Sequence, residues 1–221
     1  MDTCRVLLFD WYLHHMFLIN IKCLCTIESM NEEIIYGIPA KYTEILESTA
    51  LSGFDMSSEI RTCALLKTMA AAKSGGKFLE LGTGTGLSTA WILDGMDAGS
   101  SLVSIDSAPE FMAIASRHLS EDRRLTLKLT DAATWIVGSN NDKFDFIFAD
   151  TWHGKYLMLD EVLSMLNPGG FYIIDDMLER PSWPAEHKEK AEKLITNLES
   201  RNDLAMTKQA WATGVVIAVK M

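Results

Sequence analysis

Positive charge is in short supply. Only 20 Lys and Arg stand against 30 Asp and Glu in 221 residues, a formal charge of −10. Proteins that grip nucleic acid neutralise phosphates with clustered basic side chains, so this balance argues for no nucleic-acid partner and favours a small molecule. Cysteine is scarce too. Cys4, Cys23, Cys25 and Cys63 include no Cys-x-x-Cys pair. That excludes a zinc ribbon and a disulfide scaffold, and points to a reducing cytoplasm. An uninterrupted apolar run is also missing. Residues 5–27 come nearest, but Asp10, His14, His15 and Lys22 break the stretch and no small-residue cleavage site follows. A charge at mid-bilayer is costly, so a membrane span and a signal peptide are both disfavoured.

Residues 1–29 are read as an N-terminal apolar extension. It is either foreign to the native protein, with Met30 as the start, or an apolar helix that packs on the domain or on a second copy. Residues 30–221 show no repeat, low-complexity tract or linker, and are expected to form a single domain.

Within that domain, helical and extended patterns alternate. Two helices are expected first, over Ala40–Leu51 and Ser57–Lys73, the second with Ile60, Leu65, Leu66 and Met69 in helical spacing. Strands follow at Lys77–Leu81, Leu102–Asp106, Leu125–Leu129, Phe144–Asp150 and Phe171–Asp175. Between them lie helices over Leu87–Leu93, Ala108–Leu119, Ala132–Val137 and Lys155–Leu166, the last ending at an Asn167-Pro-Gly-Gly170 turn. A charged helix over Ala185–Glu199 precedes two closing strands, Leu204–Lys208 and Thr213–Val219. The alternation predicts an α/β fold, a Rossmann-like doubly wound seven-stranded sheet, mostly parallel with helices on both faces. The short final connection predicts an antiparallel last strand.

Ligands of such sheets sit outside the carboxyl ends of the strands. After the first strand come Glu80, Gly82, Thr83, Gly84 and Gly86, a loop in which glycine permits a tight turn and close backbone approach. The dinucleotide spacing Gly-x-Gly-x-x-Gly is absent, because Leu87 stands where the third glycine belongs. Nicotinamide binding is disfavoured accordingly. Asp106 ends the second strand at the distance where a carboxylate reaches the ribose hydroxyls of a nucleoside. Asp131 ends the third, with two readings open: contact with a base, or the N-cap of the next helix.

Leu79-Glu-Leu-Gly-Thr-Gly-Thr-Gly86, Asp106, Asp131-Ala132 and Phe144-Asp-Phe-Ile-Phe-Ala-Asp150 resemble the successive motifs of class I S-adenosylmethionine-dependent methyltransferases. Within that class, Asp150-Thr-Trp-His-Gly-Lys-Tyr156 and Asp175-Asp176 look like marks of the catechol and caffeoyl-CoA O-methyltransferases. The resemblance implies S-adenosylmethionine as cofactor and a hydroxyl of a small aromatic molecule as acceptor. It implies cofactor contacts from Glu80, Gly82, Thr83, Gly84 and Ser88, and from Asp106, Ser107, Asp131, Ala132 and Asp150. A homodimer is compatible with the resemblance.

It also implies that Asp150, Asp175 and Asp176 hold a divalent, magnesium-like cation, and three carboxylates do suit a hard ion. The family usually has Asn where Asp176 stands, which leaves a cation-independent transfer open, as well as a binding protein without catalysis. The family's base is a Lys three residues beyond the first Asp. That place holds His153, with Lys155 two positions on, so Asp150, His153 and Lys155 form the catalytic set. Trp152 and Trp183 are candidate walls for an aromatic acceptor, and the Met177–Pro184 segment is expected to border the acceptor pocket.

Overall fold

The computed structural model describes residues 35–180, 183 and 186–221. The N-terminal extension and Pro181, Ser182 and Pro184 of the proline-bearing loop lie outside them. From Gly37 to Met221 the chain forms one unit. It opens with α1 (Tyr42–Ser52) and α2 (Ile60–Ala71). There follow β1 (Lys77–Leu81), α3 (Leu87–Gly95), β2 (Ser101–Asp106), α4 (Pro109–Leu119), β3 (Leu125–Leu129), α5 (Ala132–Gly138) and β4 (Phe144–Ala149). The chain closes with α6 (Leu159–Ser164), β5 (Leu166–Ile174), α7 (Glu186–Glu199), β6 (Leu204–Gln209) and β7 (Val215–Lys220).

Among the described residues seven strands form one sheet in the order β3-β2-β1-β4-β5-β7-β6. β7 runs antiparallel to both β5 and β6, and the other pairings are parallel. The predicted architecture is the observed one. Central β1 and β4 are buried almost throughout, as strands covered on both faces must be, and apart from Lys77, Glu80 and Asp145 they are apolar. Edge strand β3 alternates half-buried and exposed positions. α3 is buried from Leu87 to Leu93, which fixes the helix that follows the glycine loop inside the protein.

Three elements differ from the sequence reading by three residues or more. α2 starts at Ile60 rather than Ser57, because Glu59 is extended, and residues 53–59 cross the surface as a strap. The helix expected over Lys155–Leu166 shrinks to Leu159–Ser164. The N–H groups of Lys155, Tyr156 and Leu157 all turn onto the Trp152 carbonyl, and Met158 is left-handed, so the helix cannot extend backward through it. Asn167-Pro-Gly-Gly170 falls within β5 instead of ahead of it. Phe144 pairs with Leu166 and Phe146 with Phe171, so residues 167–170 bulge out opposite Asp145 alone. Among the described residues no helix is long and apolar enough to cross a membrane.

Candidate active site

The carboxyl ends of β1, β2, β4 and β5 open into a cavity of about 510 Å³. The glycine loop forms one end. Gly82 has φ +104°, and a Cβ there would stand 2.6 Å from the Asp150 carbonyl oxygen, so the loop needs glycine to pass the end of β4. Gly84 donates its N–H to Asp106 Oδ2 at 2.7 Å, and Asp106 Oδ1 accepts from the Ala108 N–H at 2.9 Å. Gly82, Thr83, Gly84, Ser88, Asp106 and Ser107 all line this end. Phe54 of the strap closes it, its ring 4.6 Å from that of Phe111.

Glu80 lies behind the loop instead of on the cavity wall. It is fully buried and accepts hydrogen bonds from the hydroxyls of Ser88, Thr89 and Ser104. Burial pushes its carboxyl up to about 7, against the downward pull of those hydroxyls. Asp131 is the N-cap of α5, with Oδ1 accepting from the Thr134 N–H at 2.8 Å. That bond, with the Thr134 hydroxyl, holds its carboxyl below the usual range. Neither Asp131 nor Ala132 lines the cavity.

At the other end, oxygens of Asp150, Asp175 and Asp176 lie within 4.8 Å of one another. β4 and β5 are hydrogen-bonded neighbours, so their ends place these carboxylates together. Asp150 Oδ2 accepts from Ser58 Oγ at 2.8 Å, a bond that reaches in from the strap. Asp175 Oδ1 accepts from the Thr213 hydroxyl and the Asp176 N–H, whereas its buried Oδ2 has no partner among the described residues. Burial raises the carboxyls of Asp150 and Asp175 above the ordinary range, and the neighbouring acids add to the shift. An orphaned buried oxygen and three converging carboxylates are a donor set that fits a hard cation.

Lys155 is buried against this cluster, 5% exposed. Its ammonium donates to the Asp175 carbonyl at 3.0 Å and lies 3.8 Å from Asp150 Oδ1. His153 does not line the cavity. In the tight turn after β4, where Gly154 has φ +84°, Lys155 points inward while His153 stays near Asp131.

An aromatic wall continues from here. Trp152 meets Tyr156 edge-on, Tyr156 Oη lies 3.2 Å from His187 Nε2, and Trp183 packs on His187 with centroids 4.4 Å apart. Trp152 and Trp183 were legible as candidate walls. Phe54, Ser58 and His187 were not, since no motif marks them and only the folding of the strap and of α7 brings them in, and Tyr156, although it closes the Asp150–Tyr156 motif, was given no role at the wall.

Residues 79–177 match the family described as Methyltransferase domain. A curated protein of Mycobacterium avium (strain 104), named "Putative O-methyltransferase", is 28% identical over 118 residues, covering 50% of this chain and 52% of that protein. The chain thus spans about half the length of such curated relatives. Among solved structures, the Bacillus cereus O-methyltransferase in complex with SAH superposes with a TM-score of 0.75 at 17% identity, over 89% of this chain and 97% of that one. TomG of Streptomyces achromogenes, an O-methyltransferase involved in tomaymycin synthesis and bound to SAM, gives 0.75 at 17% identity, over 89% and 96%. The fold is therefore the Rossmann-like methyltransferase fold. The resemblance carried by the strand-end motifs is borne out in these similarities.

Proposed function

We propose that this protein transfers the methyl group of S-adenosylmethionine to a hydroxyl of a small, aromatic, catechol-like acceptor. One observation carries the reading: a single cavity joins the glycine loop and Asp106 to Asp150, Asp176, Lys155 and the aromatic wall. A nucleoside-binding end and an acid-and-amine end in one chamber are what an in-line transfer between two bound molecules needs.

In this reading Asp106 accepts the ribose hydroxyls, and Gly82 and Gly84 let the backbone approach the cofactor closely. Trp152, Tyr156 and Trp183 hold a flat ring, and the strap keeps water out. The hydroxyl's oxygen takes the methyl group as the sulfonium's S–C bond breaks and S-adenosylhomocysteine leaves with that electron pair, and the hydroxyl proton passes to a carboxylate at that end, where Asp150 lines the cavity. When bound by Asp150, Asp175 and Asp176, a divalent cation supplies Lewis acidity that makes an acceptor hydroxyl easier to deprotonate. The Lys155 ammonium beside the cluster favours a second reading, in which transfer proceeds without a divalent cation because Lys155 provides the positive charge.

Transfer from labelled S-adenosylmethionine to a panel of catechols, with and without chelator, tests both. Chelator-sensitive transfer supports the first reading and chelator-insensitive transfer the second. S-adenosylhomocysteine raising the melting temperature without transfer to any acceptor would leave a binding protein, and no rise at all would overturn the cofactor assignment.

A further inference from the structure

We infer that Lys155 is the resident counter-cation of the Asp150–Asp175–Asp176 cluster, and that a divalent ion binds there in competition with it, at an affinity set by the Lys155 charge. The inference rests on the reading of the cluster as a cation site.

Three carboxylates crowd within 4.8 Å, two of them at the edge of the core, and such a group needs compensating charge. Lys155 is placed to supply it. Its stem is buried, its ammonium faces Asp150 Oδ1 at 3.8 Å, and the Asp175 carbonyl fixes it at 3.0 Å. That carbonyl belongs to one of the candidate ligands, so the bond ties the ammonium to the mouth of the cluster rather than to solvent. Repulsion between an ammonium and a doubly charged ion a few ångströms apart is strong in a site of reduced dielectric. The protein therefore contains the competitor of its own metal.

The test is a binding measurement on the full chain, with Mn²⁺ as probe, by calorimetry and by the paramagnetic resonance signal of free Mn²⁺. Lys155→Gln keeps an N–H donor for the Asp175 carbonyl and removes the charge; it should bind Mn²⁺ at least tenfold more tightly than wild type. Lys155→Arg keeps the charge and should stay within about threefold of wild type. Adding Asp175→Asn to Lys155→Gln should abolish the gain. Equal or weaker binding by Lys155→Gln, or a gain that survives Asp175→Asn, would overturn the inference. Should Lys155→Gln fail to fold alone, its circular dichroism is recorded with Mn²⁺: restoration of the fold supports competition, and no restoration counts against it. Absence of Mn²⁺ binding in every variant would remove the cation reading and the inference together. Binding that is indifferent to Lys155 removes only the inference, and methyl transfer enters neither outcome.

Discussion

The N–H of Gly84 donates to Asp106 Oδ2 over 2.7 Å, so the glycine loop and the end of the neighbouring strand are one unit. Asp106 Oδ1 is held in turn by the Ala108 N–H. Each carboxylate oxygen keeps a lone pair for a ribose hydroxyl. Asp106→Ala should weaken S-adenosylhomocysteine binding by roughly ten- to a hundredfold, as loss of charge-assisted hydrogen bonds does. Calorimetry returning the wild-type affinity would refute the assignment.

Gly82→Ala should be far more damaging than Gly169→Ala, although both glycines have positive φ. A Cβ at Gly82 meets the Asp150 backbone at 2.6 Å, whereas one at Gly169 meets nothing within 4 Å among the described residues. The first should cost about 2 kcal/mol or more and cofactor binding with it, the second only about 1 kcal/mol of backbone strain. Urea titrations of the two variants make the comparison, and equal losses would contradict it.

Glu80 gives stability a pH dependence of defined sign. Its folded carboxyl titrates at about 7 against an ordinary 4.5, so the folded protein binds that proton more tightly than the unfolded chain. The resulting stabilisation is complete below the unfolded value and is lost as pH rises through the folded one, on the order of 3 kcal/mol across the window. Relative to Glu80→Gln, the wild-type melting temperature should fall between pH 5 and roughly pH 7 and level off above that. Parallel melting curves for the two proteins would show that Glu80 is not the group responsible.

Trp183→Ala separates the two ends of the cavity. The ring packs on His187 on the acceptor side, away from the glycine loop. The acceptor KM should rise about tenfold, consistent with the worth of a well-packed aromatic contact, while S-adenosylhomocysteine affinity stays put. An unchanged KM would remove Trp183 from the acceptor site.

Much of the fold was legible, because strands buried on both faces announce themselves as short apolar runs separated by turn residues. What escaped was local competition. The stretch after Lys155 carries a helical stripe, yet a left-handed Met158 confines the helix to its second half. At the site, the grouping of Asp150, Asp175 and Asp176 came from the family resemblance, and the structure brings the three together because β4 and β5 are adjacent parallel strands. Asp131 had two open readings, and the structure shows the cap. That Lys155 and not His153 lines the cavity depends on which way the turn after β4 faces, a property of Gly154 and of the Trp152 carbonyl that no spacing rule contains. Ser58 reaches Asp150 across 92 positions of chain, beyond any local pattern.

Asp176 has φ +62°. Few side chains tolerate that backbone, and Asp, Asn and Gly are the ones that do so at little cost. The identity of this position is consequently restricted by conformation before any ligand is considered. A saturation library at 176 ranked by stability alone should place these three first, and Asp and Asn are also the two of them that can offer an oxygen to a cation. Glu carries the same charge but should rank below Asp by about 1 kcal/mol of backbone strain.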